Sequence, residues 1–261
     1  MKKILSLFLV AVLLVPAVIT RAETEKIPLD KCKVTISGEF YYTGNGITPT
    51  PKVTYKKKKL KKDRDYNLYY KDNVNVGTAT ITFVGMGDYT GSTTATFQIK
   101  KGKQTINAKN VKATFGDDPV NISAIANNPL SYKSSNTAVA EVSPVGTITI
   151  KGAGKAKITI KAEGSTNVAP AKKTITVTIA KAKPRISAFG GLVKKGDKWN
   201  LHAETTSDGK LTYQSSNKKI ATVSKKGIVK TLKKGRVTIT ITSVATKNFK
   251  AATKKVAVEV N

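Results

Sequence analysis

One cysteine (Cys32) and one histidine (His202) are all that 261 residues supply of either kind. A lone cysteine excludes a disulfide framework within the chain. One cysteine and one histidine cannot compose a zinc site. Any catalytic triad would have to use His202, and its strand-like surroundings, WNLHAE, read as a structural or surface position. Carboxylates are scarce as well, with 16 Asp and Glu against 46 Lys and Arg and a net charge of +30. A calcium site wants about six oxygen ligands. Asp63-x-Asp65 and Asp117-Asp118 fall short of that and read as turn residues. Nothing points to the carboxylate pair of a glycosidase. Aromatic residues make up only 7% of the chain, and Tyr66, Tyr69 and Tyr70 form a dense cluster. That leaves few rings on which nucleic-acid bases could stack. No cofactor and no metal is expected.

Long apolar runs are missing too, except at the start. MKKILSLFLVAVLLVPAVITRA has a basic opening, an apolar stretch from Ile4 to Ile19, and small residues at Thr20 and Ala22. This is the pattern of a secretory signal peptide over residues 1–22. The rival reading, a retained anchor, is disfavoured by the shortness of the run and by Pro16. No later segment is apolar enough to span a membrane, and no C-terminal anchor is expected. Cleavage would remove Lys2, Lys3 and Arg21, leaving a net charge of +27. Cys32 alternates with Val34 and Ile36, which reads as a small buried strand residue. Its role is otherwise open.

Helical periodicity is absent after the apolar start. Period two is everywhere instead. ATITF (79–83), ATFQI (95–99), AKITIKA (156–162) and ITVTI (175–179) each alternate apolar and polar residues. Such segments have one buried and one wet face. Gly, Asn, Asp and Pro punctuate them at short intervals. The expected fold class is all-β, with antiparallel β-sandwiches. Seams at KKGK (100–103) and AKAKP (180–184) suggest three sandwiches in tandem over 23–101, 102–182 and 183–261.

The last two of these repeat. Residues 130–179 align on 211–260 without a gap, at an offset of 81 and with 17 identities in 50 positions. YKSSNTAVAEVS at 132–143 returns as YQSSNKKIATVS at 213–224. Leu130 and Tyr132 would face the core, Ser-Ser-Asn would turn the chain, and Ala140 and Val142 would return to the core. Gly146 and Gly154 suit turns that require positive φ. Every retained residue thus has a packing or turning task, and none needs a chemical one.

YKSSNTAVAEVSPVGTITIKGAGKAKITIKA resembles the bacterial immunoglobulin-like domain of group 2, a family that includes the stalk domains of invasin and intimin adhesins. YQSSNKKIATVSKKGIVKTLKKGRVTITI fits the same run. The first unit resembles secreted modules of Gram-positive bacteria in which DYxxxYxxNxxVGTAxxxxxGxGxYxG recurs. Asp65, Tyr66, Tyr70, Asn73, Val76 to Ala79, Gly85, Gly87, Tyr89 and Gly91 match it. The resemblance implies immunoglobulin-like sandwiches serving as spacers or adhesive modules, without catalytic residues to carry over. Pro144 and Val145 stand where the other copy has Lys225 and Lys226.

What remains is charge. KKKKLKKDR (56–64) holds seven basic residues in nine. Lys56, Lys57, Lys58, Lys59, Lys61 and Lys62 are therefore candidate contacts for phosphate or carboxylate groups on a polyanion; a solvated turn is the bland reading. Lys155, Lys157 and Lys161 read as outward lysines that blunt a sheet edge. The expected protein is secreted and non-enzymatic, structural or adhesive. Its expected partners are an anionic cell-wall polymer, a host glycan or a host surface protein. An exported nucleic-acid-binding protein and an accessory module of a polysaccharide hydrolase are the alternatives.

Overall fold

The computed structural model describes residues 25–261; the signal peptide expected over 1–22 lies outside them. The chain is all-β, as period two required, and among the described residues the sole helical element is a 3-10 turn, Leu29–Lys31. No helix among these residues is long and apolar enough to cross a membrane. The described residues divide into two compact units, one up to residue 99 and one over residues 100–261.

In the first unit, a four-stranded sheet runs in the order Phe40–Tyr41, Ser92–Lys100, Gly77–Gly85, Tyr66–Lys71. A three-stranded sheet of Lys33–Thr35, Lys52–Tyr55 and Lys58–Lys59 accompanies it. The alternation in ATITF becomes burial: Ala79, Ile81 and Phe83 are fully enclosed, while Thr80 and Thr82 face outward between neighbouring strands. Phe40 meets Phe97 edge-on at 5.0 Å between ring centres, and Tyr66 tilts against Phe83 at 5.7 Å. Such pairs contribute about 0.5–1.5 kcal/mol each beyond the area they bury. Leu29, Val53 and Leu60 complete the core.

The second unit holds two hydrophobic cores, one drawn from residues 106–179 and the other from 186–260. The sheets around them have the same layout. One four-stranded sheet is ordered Val111–Thr114, Ala171–Ala180, Gly154–Ala162, Leu130–Ser134; its counterpart is Gly191–Val193, Ala252–Val260, Gly235–Ser243, Leu211–Ser215. In both, the first strand of this order pairs parallel with the second, and all other pairings are antiparallel. Three-stranded sheets lie opposite, centred on Thr147–Ile150 and Ile228–Thr231. The segment 180–184 separates the two cores.

The retained residues do the work assigned to them. Ser134 Oγ accepts the Asn136 N–H, Asn136 Oδ1 accepts the Ala138 N–H, and Ser135 Oγ accepts the Lys157 N–H. Ser215, Asn217 and Ser216 make the same three bonds 81 residues later, to the N–H groups of Asn217, Lys219 and Thr238. Backbone donors that the turn takes out of the ladder thus find partners. Ala140 and Ala221 are fully buried, so the facing sheets can close on them.

The topology corrects one expectation. Lys155, Lys157 and Lys161 do not guard an edge, because Gly154–Ala162 is an inner strand with Ala171–Ala180 on one side and Leu130–Ser134 on the other. Sequence alternation shows which face a residue takes but not whether its strand is first or second in a sheet.

Candidate functional site

The lysine run at 56–62 forms a β-hairpin. Thr54 pairs with Lys59 and Tyr55 with Lys58, leaving Lys56 and Lys57 as a two-residue loop. Both have positive φ, 47° and 69°. A two-residue loop of this hand matches the twist of the flanking strands and ordinarily uses Asn-Gly or Gly-Gly, because L-residues with a bulky Cβ are strained there. Two lysines at these positions are therefore an unfavourable choice for folding alone. Lys56 Nζ sits 5.4 Å from the Tyr55 ring centre, a cation–π contact. Lys58 and Lys59 lie on the outer strand of the three-stranded sheet and are exposed.

Leu60, in the middle of the run, is buried and anchors the hairpin to the core. Beyond it the chain turns tightly. Asp63 has φ 61°, and Asp65 is buried. Arg64 grips the Asp65 carboxylate through Nε and Nη2, both at 2.7 Å, and the Lys61 N–H donates to Asp65 Oδ2 at 2.7 Å. The Arg64 hydrogen bonds, ahead of the Lys61 N–H, lower the Asp65 pKa to about 2. Asp65 is thus a structural carboxylate fixing the loop, the turn role its sequence position suggested. Lys62 pairs with Asp63 at 3.7 Å. The six candidate lysines are all exposed. Lys56 to Lys59 and Lys61 have no carboxylate within ion-pair distance among the described residues.

Elsewhere the chemistry-bearing residues are occupied structurally or stand apart. His202 is exposed and lies between the strands Lys198–Asn200 and Glu204–Thr205, so the strand reading of WNLHAE holds at its two ends but not at His202. Its φ is 44°, and its N–H donates to Asn200 Oδ1 at 2.9 Å. This makes it a turn residue. Cys32 is half-buried at the end of the 3-10 turn, one residue before the strand Lys33–Thr35, and packs against the core. Burial, reinforced by Asp30, raises its pKa and keeps the thiol protonated. Asp117 accepts the Thr114 N–H at 2.7 Å, which is turn chemistry again. One surface hollow is lined by residues 72–78, Asp72 among them; another sets Glu204 beside Arg185 and Lys254. Each offers one carboxylate.

With this geometry in place, comparison with known proteins bears on the second unit. Residues 193–256 match the bacterial Ig-like domain (group 2), and residues 125–166 match the intimin immunoglobulin-like domain. These matches support the resemblance to invasin- and intimin-type immunoglobulin-like domains. No curated protein matches the chain. Among solved structures, the insect immune protein hemolin is 13% identical, with 88% of this chain and 76% of that chain covered and a TM-score of 0.39. Drosophila N-cadherin EC1-4 is 10% identical, with 87% and 71% covered and a TM-score of 0.31. The S-layer protein rSbsC(31-844) is 18% identical, with 87% and 40% covered and a TM-score of 0.32. With TM-scores below 0.5, these likenesses carry no weight.

Proposed function

We propose that this is a non-catalytic modular protein, secreted or held at a cell surface, that docks to anionic polymers of the cell wall or of host glycans through its lysines. Its β-sandwiches act as spacer modules. The observation that carries this reading is the hairpin tip, where Lys56 and Lys57 both occupy positive φ. Strain of about 1–2 kcal/mol per residue is retained there, and what it presents is a cluster of ammonium groups on the outside of the fold. Strain that folding does not need points to use. The large net charge of +30 supports the same reading, since diffuse positive potential raises the local concentration of polyanions. Lysine lacks the planar fork of arginine, so the binding is salt-sensitive and tolerant of polymer identity.

The test is co-sedimentation of the protein with bacterial walls, mucin and DNA at low and high salt. Binding to walls or mucin that salt abolishes agrees with the proposal. Indifference to all three at low salt removes it, and a strong preference for DNA replaces it with the nucleic-acid alternative.

A further inference from the structure

The two sandwiches of the second unit share strand order and register but not the chemistry of one face. On the outer face of the sheet containing Gly154–Ala162, the register sets Lys161 directly opposite Lys172. Lys133 is opposite Thr159, Lys157 is opposite Thr176, Lys155 is opposite Thr178, and Lys112 is on the far side of Thr178. All six lysines are exposed, and none has an ion-pair partner among the described residues. The grid of paired strand positions contains no carboxylate. Asp117 and Glu163 belong to loops that leave the sheet, and Asp117 is engaged by the Thr114 N–H.

The other sandwich shows what the fold alone requires. In the same registers, Lys161 and Lys172 become Thr242 and Thr253, a directly opposed pair. Lys133 becomes Gln214 and Lys157 becomes Thr238. Where Lys155 faces Thr178, Arg236 faces Glu259, so charge is balanced there. Threonine suits an open strand face better than lysine. Like charges directly opposite each other are destabilising. The first of the two sandwiches therefore carries an arrangement that works against its own stability and that its sister does without.

We infer that the outer face of the Leu130–Ser134, Gly154–Ala162 and Ala171–Ala180 strands is a binding site for a sulfated or phosphorylated polysaccharide. The inference rests on the polyanion-docking reading above and gives it a second, better-defined place. A depression of about 400 Å³ lies where Lys133, Lys161 and Lys172 converge, lined also by Ser131, Tyr132 and Thr159. Ammonium groups meet the anionic substituents there. Threonine and serine hydroxyls between them exchange hydrogen bonds with sugar hydroxyls. The one aromatic residue lining the depression, Tyr132, alternates to the other face of its strand, and its ring packs against Gly146. Bases of a nucleic acid would find nothing to stack on. Alternate residues on one strand stand about 6.8 Å apart, so an extended polymer can meet successive lysines along the sheet.

The experiment compares retention on immobilised heparin, used as the sulfated glycan, for three forms of the full chain. They are the wild type, K133Q/K157T/K161T/K172T, which installs the sister residues, and K218Q/K219Q/K225Q/K226Q, which removes equal charge from exposed turns. The face variant is expected to melt no lower than the wild type and to bind at least tenfold more weakly, with a salt slope smaller by about three. The turn variant is expected to stay within threefold of the wild type. Adding Q214K, T238K, T242K and T253K to the face variant is expected to restore binding. Equal loss in the face and turn variants overturns this inference while leaving general polyanion docking intact. No heparin binding by the wild type at low salt overturns both. Equal dependence of poly(dT) binding on the four face lysines overturns the choice of a polysaccharide.

Discussion

Tyr132 closes over the α-carbon of Gly146: a β-carbon added to Gly146 would lie 2.8 Å from Tyr132 Cζ. The pair recurs as Tyr213 and Gly227, at 3.0 Å, and both glycines have positive φ, 85° and 77°. This explains why tyrosine and glycine persist together across an offset of 81. A side chain at either glycine would push into the ring.

Gly146→Ala and Gly227→Ala should each destabilise the second unit by about 2–4 kcal/mol, combining left-handed strain with a forced shift of the ring. Gly116 supplies the control. It has φ 93° but nothing within 4 Å of an added β-carbon, so Gly116→Ala should cost about 1–2 kcal/mol from the backbone alone. Urea denaturation of the three variants separates the two contributions. Equal losses at all three positions would show that the tyrosine contact adds nothing.

Acid should weaken the first unit through Asp65. Its pKa is lowered from an ordinary 3.8 to about 2 in the folded protein. A depressed carboxyl adds stability above its unfolded pKa and loses that stability as pH falls through the folded value. The loss therefore belongs between about pH 4 and pH 2. Asp65→Ala removes the acceptor of the Arg64 and Lys61 bonds and should cost about 1.5–3 kcal/mol at neutral pH. Asp65→Asn should flatten the acid dependence of that unit. Melting curves from pH 2 to pH 7 read both effects, and an unchanged acid profile in Asp65→Asn would contradict the assignment.

Stability and docking should trade against each other at the hairpin tip. Replacing Lys56-Lys57 with Asn-Gly relieves the positive-φ strain, and the first unit should gain about 1 kcal/mol after the extra freedom of glycine in the unfolded chain is allowed for. Retention on wall polymer at low salt should fall in the same variant. A gain in stability with no loss of retention would make the lysines ornaments of a tolerated turn.

Within the second unit, the loop at 246–250 joins the two cores. Asn248 Oδ1 accepts the Ala153 N–H at 2.9 Å, and Phe249 meets Phe115 edge-on at 5.4 Å. Asn248→Ala combined with Phe249→Ala should split the unfolding of this unit into two calorimetric transitions, where the native chain is expected to give one. A single transition of unchanged shape would place the coupling elsewhere.

The sequence made the architecture legible where physics is local. Alternation in ATITF and AKITIKA named the buried faces correctly, the Ser-Ser-Asn side chains bonded the turns, and the glycines at 146 and 154 took the positive φ that the absence of a β-carbon allows. Less was legible where position in a sheet decides. Val111–Thr114 and Gly191–Val193 are short strands whose parallel pairing follows from distant partners, not from their own residues. Lys155, Lys157 and Lys161 looked like edge guards because alternation is the same on inner and outer strands. The hairpin at Lys56-Lys57 lacks the Asn-Gly signal that announces such loops, so its charge was visible and its strain was not. The lysine face around Lys161 and Lys172 needed the register, since those residues are separated along the chain by a loop.

The most direct measurement is the salt dependence of binding between the purified protein and isolated bacterial wall polymer. The logarithm of the binding constant should fall linearly with the logarithm of salt concentration, with a slope that reflects several released counterions, and neutral polysaccharide should not compete. Binding that is indifferent to salt, or that neutral sugar displaces, would contradict an account in which the sheets build the scaffold and the lysines make the contact.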